Sequence, residues 1–196
     1  MLSVTLSDIP GLWRRFLIDF TFARNYTIGY IDLPGPAPRN PVLEQLLPSL
    51  LHIKAVAILD HTLRAWIDEN GMTVPKKPYG TDLKGRIEFL ADNNILEDRD
   101  ALHALRSIRN ELAHEPQGVI DWNCLDQDVV TIQRTLKDLK LVGEMPEFEI
   151  FSERSAAQWS QDPEVICTFN YRIAIKEADR LVAEIKWSKN LMRDEA

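Results

Sequence analysis

The sequence predicts an all-α fold, a helical bundle with one small irregular or β arm near residues 144–165, and three observations predict it. Apolar residues return at three- and four-residue spacings over successive stretches of chain. Proline- and glycine-bearing breaks separate those stretches. The 196 residues are 45% apolar and 27% charged, the composition of a globular chain and not of a disordered or fibrous one. At this length a single domain, residues 1–196, is the default.

The elements follow in order. Over residues 10–31, Trp13, Phe16, Leu17, Phe20 and Ala23 line one helical face, with Pro10 near the first turn where a missing N–H costs nothing. Residues 33–41 carry four prolines and a glycine and form a stiff connector. Residues 42–69 place Leu43, Leu46, Leu47, Leu50, Ile53, Ala57 and Ile58 at helical spacing; their middle is apolar nearly all round, as in a helix enclosed by neighbours. This is the expected central helix. Asn70 and Gly71 give a stop signal, and residues 75–78 a second loop.

Thr81 or Asp82 caps a short helix with the stripe Leu83, Ile87 and Leu90. Asp98 or Asp100 opens the next helix, which Pro116 halts. Residues 119–142 carry Leu125, Val129, Ile132, Leu136 and Leu139 and close the bundle as a fifth helix. Residues 144–164 hold six acidic residues and one arginine around Phe148, Ile150, Phe151 and Trp159; FEIF reads as a short strand or an irregular arm. Residues 171–192, with Ala174, Ala178, Leu181, Ile185 and Trp187, return to helical spacing, so a C-terminal helix is expected.

Charge, cysteines and apolar runs bound the function. A formal net charge of -7 argues against broad attraction to nucleic acid or anionic lipid, so any phosphate site is local. Cys124 and Cys167 show no CxxC spacing, and residues 1–30 lack the features of a secretory leader, which together predict a reducing, cytoplasmic setting. The richest apolar stretch carries Lys54, Asp60 and Arg64, so no membrane insertion is expected. His52, His61, His103 and His114 form no metal-ligand spacing, and neither GxSxG, Walker nor GxGxxG patterns occur; no metal or cofactor is expected. Lys76 and Lys77 read as a solvated loop, and Trp13 and Trp66 as core.

The stretch RSIRNELAHE, residues 106–115, is the exception to this plain reading. At about 100° per residue, Ala101, Leu105, Ile108 and Leu112 fall within roughly 60° of one another and mark the expected buried face. His103, Arg106, Asn110 and His114 then cluster opposite, with Arg109 at the flank. Two readings compete: a solvated helix end whose cations complement the carbonyl end of the macrodipole, or a place where an anion is handled.

Read as RNxxxH, Arg109, Asn110 and His114 resemble the signature of the HEPN family. The context is similar as well: a short helix like DLKGRIEFL before LHALRSIRNELAHE, and a long helix like LLHIKAVAILDHTLRAWI before both. The resemblance covers residues 42–142. It implies a compact bundle of four or more helices that dimerises and brings two motifs into one cleft. Many members are metal-independent endoribonucleases, often toxins held by an antitoxin or antiphage effectors, and others are non-catalytic scaffolds.

On that resemblance Arg109, His114 and Asn110 are the expected catalytic residues, with Arg106 and Asp60 as substrate-binding candidates and RNA as the substrate. Within one helix Arg109 and His114 are about 140° apart, so a homodimer is expected to complete the site. Asn110 is expected to orient His114 or the phosphate. Asp60 pairs equally well with Arg64 in the same helix, and Arg106 with Glu111 or Asp100. In the non-catalytic alternative, the acidic arm is the working surface of a dimeric binding module.

Overall fold

A computed structural model describes residues 5–31, 40–115, 117–156 and 164–192; for residues 28–31, 154–156, 166–167 and 191–192 only the backbone is described. Most of the proline-rich connector, Pro116 and Trp159 lie outside the described residues. Contacts gather the chain into two compact units: Met1–Phe16 with Pro41–Met145, and Leu17–Asn40 with Pro146–Ala196.

The first unit is helical. It takes the opening turns of α1 (Ile9–Ile31), then α2 (Leu47–Glu69), α3 (Leu83–Asp92), α4 (Arg99–His114) and α5 (Trp122–Asp138). A short π-helical segment, Val42–Leu46, leads into α2. Ile9, Trp13 and Phe16 are buried, and Trp13 Nε1 donates to the Gln133 side chain of α5. Through α2 run Leu51, Ala55, Val56, Leu59, Leu63 and Ile67, all buried, and each large one adds on the order of 2 kcal/mol of apolar burial. This helix packs on α3, α4 and α5 and is the central element that its apolar middle predicts.

By length and composition the stretch Val42–Glu69 is apolar enough to cross a membrane. Its surroundings are those of a core helix instead. Leu59 and Leu63 are fully enclosed, and Asp60 is ion-paired with Arg86 of α3.

Local signals set the ends. Asp82, rather than Thr81, caps α3: its Oδ1 accepts from Gly85 N at 2.9 Å. Residue 85 is glycine because a Cβ there would lie 2.5 Å from the carbonyl oxygens of Tyr79 and Gly80. Gly71, with φ 66°, ends α2 as expected, and Met72 N donates back to Ile67 O. Asp98 is the residue before α4. The fifth helix is shorter than residues 119–142, because Asp121 caps it through Cys124 N at 2.9 Å and it ends at Asp138.

The second unit holds the small β part beside the mainly helical fold, and carries it beyond residue 165. It holds a three-stranded antiparallel sheet in the order β1 (Glu149–Ala156), β2 (Val165–Glu177), β3 (Arg180–Met192). The strand option for the acidic arm is thus the one found in β1. The expected helix over residues 171–192 is overturned: these residues are the end of β2, a tight turn and β3. Tyr171, Ile173 and Ile175 are buried at period two, with half-buried Arg172 and the small, buried Ala174 between them and half-buried Lys176 after them. Ala178 and Asp179 form the two-residue loop with φ of 46° and 63°, as a right-twisted hairpin requires.

One sheet face carries Tyr171 and Trp187, whose rings stack at 5.2 Å, and Tyr26 of α1 lies against Trp187 at 4.7 Å. The other face is a lattice of charges. Arg172 and Lys186 flank Glu184, and Lys176 Nζ sits 4.4 Å from the centre of the Phe151 ring.

Candidate functional site

The geometry of α4 decides the site. Its fully buried residues are Leu102 and Leu105; Ala101, Ile108 and Leu112 are only half-buried. The buried face is therefore rotated from the one the apolar spacing predicts. The cause is α3, which packs against α4 and covers the flank expected to face water. There Glu88 of α3 meets His103 Nε2 at 3.0 Å and Arg99 Nη1 at 3.4 Å. In consequence His103, Arg106 and Asn110 are half-buried, not turned away from the core. Arg109 falls on the buried stripe itself, four residues after Leu105, yet is exposed.

Buried polar contacts fix this helix in place. His52 of α2, wholly enclosed, has Nδ1 2.8 Å from Asp128 Oδ2 of α5 and Nε2 3.2 Å from the Leu105 carbonyl oxygen. Two acceptors thus hold one imidazole, and they join α2, α4 and α5 one turn before Arg109. Cys124 Sγ lies 3.7 Å from the same Asp128 oxygen, and burial, then the carboxylate, push its thiol up to about 11. At neutral pH it stays a thiol, which removes it as a nucleophile.

Arg106, Arg109, Asn110 and Asp60 all line one depression of ≈ 460 Å³ between α2, α3 and the end of α4. Its wall also contains Lys84, Arg86, Asp82 and His61. Four guanidinium or ammonium groups, Lys84, Arg86, Arg106 and Arg109, thus face two carboxylates, Asp60 and Asp82, a local positive excess in an acidic protein.

The carboxylates are engaged. Asp60 Oδ1 accepts from Arg86 Nε at 3.1 Å and from its Nη2, not from Arg64, which lies 3.9 Å from Asp68. Its first role is to pin α3 to α2. Asn110 Oδ1 accepts from Arg109 Nη1 at 3.1 Å, so this amide steadies the arginine and not His114. Arg106 Nε is buried without a hydrogen-bond partner among the described residues, and no ion pair joins it to Glu111 or Asp100.

His114 stands apart. It is exposed in the last turn of α4 and lines a different groove, with Val42, Leu46, Leu50, Leu112 and Val119. Val42, Leu46, Leu50 and Val119 are each at least half exposed, a long apolar stripe beside the imidazole. One chain therefore gathers Arg106, Arg109, Asn110 and Asp60 but leaves His114 outside.

Lys84, Arg86 and His61 were missed by sequence reasoning. Lys84 and Arg86 did leave a signal, because cations in the first turns of a helix oppose its macrodipole and need another reason to be there. Among the described residues no group of three His, Cys, Asp or Glu side chains is placed to hold a metal ion. No protein-family model matches the chain, and neither a curated protein nor a solved structure is significantly similar to it.

Proposed function

We propose that this chain is a HEPN-like, metal-independent endoribonuclease, a toxin or antiphage effector, that works as a homodimer on RNA. The observation that carries the reading is the end of α4. There RNxxxH sets Arg109 at the mouth of a cation-lined depression and His114 beside an exposed apolar stripe.

The chemistry needs few parts. An imidazole serves as general acid or base at neutral pH. It takes the proton of the RNA 2′-hydroxyl, or returns one to the departing 5′-oxygen, while the 2′-oxygen attacks phosphorus. The products are a 2′,3′-cyclic phosphate and a 5′-hydroxyl. Arg109 meets the charge that grows on the phosphoryl oxygens, with its guanidinium held by Asn110. Because Arg109 and His114 line separate depressions of one chain, a second copy supplies the missing partner group. The stripe of Val42, Leu46, Leu50 and Val119 is the apolar surface that such pairing would bury. An antitoxin partner would act by covering this same end of α4.

The test is incubation of the purified protein with total RNA and EDTA, followed by analysis of the new RNA ends. Cyclic phosphate and 5′-hydroxyl ends, lost by roughly 100-fold or more in His114→Ala, are expected. Intact RNA with the wild-type protein would end the proposal. The separation of Arg109 from His114 also favours a second reading, a dimeric HEPN-like binding module without catalysis. In that case charge reversal along Glu149 and Glu153 of β1 breaks a partner complex, and His114→Ala leaves it whole.

A further inference from the structure

Arg106 lies outside the RNxxxH signature, and its surroundings ask for a ligand. Its Nε is cut off from water and has no acceptor among the described residues, an arrangement that folded proteins avoid because a desolvated donor loses its water bond and gains nothing. Three residues further along α4, Arg109 adds a second guanidinium on the same side, and among the described residues its one side-chain hydrogen bond is to the neutral Asn110 amide. Lys84 faces them from α3 across the depression. The nearby carboxylates do not answer this charge: Asp60 is taken by Arg86, and Asp82 by the Gly85 N–H that it caps. The lining also includes Val56 and Ala57 of α2, whose apolar side chains offer no acceptor.

A group that satisfies this wall must bring negative charge and several acceptor oxygens in a compact shape. A phosphate does so, and guanidinium groups fit its edges better than those of a halide. We propose that the depression is a subsite for the RNA phosphate next to the scissile one, held by Arg106 from within and by Lys84 from the α3 rim. Arg109, at the mouth, remains with the scissile phosphate. The identity of the ligand rests on the endoribonuclease reading; the existence of a phosphate site does not.

The full chain carrying His114→Ala allows binding to be measured without turnover. Inorganic phosphate is expected to raise its melting temperature above that in potassium chloride of matched ionic strength. Adding Arg106→Gln should abolish that rise and weaken binding of a short single-stranded RNA about tenfold or more. Lys84→Ala, on an exposed side chain that the fold does not need, should weaken both effects by less, and decides the matter if Arg106→Gln fails to fold. A dinucleoside monophosphate, which has no neighbouring phosphate, should bind equally well with and without Arg106→Gln.

The subsite is overturned if phosphate gives no specific rise, or if neither substitution changes the rise and the RNA affinity. It is overturned as a neighbouring site if the dinucleoside monophosphate is weakened as much as the longer RNA. Phosphate binding that depends on Arg106 in a protein that cuts no RNA would remove the nuclease reading and keep the anion site. RNA cleavage without any phosphate effect would do the reverse.

Discussion

The outer face of the sheet and the depression at the end of α4 handle charge in opposite ways. On the sheet, Arg172 and Lys186 flank Glu184, and Lys176 covers the Phe151 ring, so each cation there has an acceptor or an aromatic face within the same surface. In the depression, no ion pair joins Arg106 or Arg109 to a carboxylate among the described residues, and Asp60 and Asp82 in its wall are engaged elsewhere, although the chain has 30 acidic residues to 23 basic ones. The first arrangement is complete by itself and serves solubility and register. The second is incomplete, and in an acidic protein an unmatched pair of guanidiniums marks where something else belongs. A third case is the buried pair of His52 and Asp128, 2.8 Å apart, where a carboxylate meets an enclosed ring nitrogen and not water.

The largest effect should come from that buried pair. His52→Ala leaves Asp128 enclosed and the Leu105 carbonyl without its second donor, so unfolding in denaturant should show a loss of about 3–5 kcal/mol. Replacement of both partners by leucine should restore much of it. A loss as small as that of a surface ion pair would place His52 and Asp128 with the sheet charges.

Next is catalysis, where the contrast is sharpest. Arg109→Ala should lower the RNA cleavage rate by roughly 100-fold, about 2.7 kcal/mol, with melting temperature preserved. Arg172→Ala on the sheet removes the same charge and should leave the rate as it was. Equal losses from the two would reduce Arg109 to a contributor to net charge.

A smaller effect belongs to Cys124. Its thiol is pushed from 9.0 up to about 11, so the neutral form is the one the fold stabilises. Stability from this source is complete below about 9 and is lost as pH rises toward 11. Alkaline melting curves should show this decline in the wild type and a shallower one in Cys124→Ala; thiol alkylation at pH 8 should be slow. The smallest effect is at Glu184, whose carboxyl is held below its usual range by Arg172 first and by Lys186 after it. Its contribution is present above the ordinary carboxylate range and fades as pH falls through the lowered value. Because the carboxylate is in water, Glu184→Gln should leave denaturant midpoints unchanged at neutral pH.

Much of the helical unit was legible in the sequence because its signals are local. The helical spacing within residues 42–69, the cap at Asp82 and the stop at Asn70 and Gly71 act within a few residues, and the helix, the cap and the stop appear there. The residues that α2 buries nevertheless include Leu59, Leu63 and Ile67, which the spacing did not single out. Residues 171–192 were misread for a related reason. Ala174, Ala178, Leu181 and Ile185 happen to recur at four and three, which hides the alternation of Tyr171, Ile173 and Ile175. The turn between β2 and β3 carries Ala178 and Asp179 in place of asparagine and glycine, so the usual hairpin signal is missing.

The candidate site divides along the same line. The sequence by itself determined that an arginine, an asparagine and a histidine end α4, and that the arginine and histidine point about 140° apart, because helix geometry fixes directions within one element. Only the tertiary structure decided which of those directions meets a wall. The packing of α3 on α4 turned Arg106 inward, brought Lys84 opposite it and joined Arg86 to Asp60. Such pairings link residues far apart in the chain, and their energies depend on which groups water can reach, a quantity that exists only once the helices have packed.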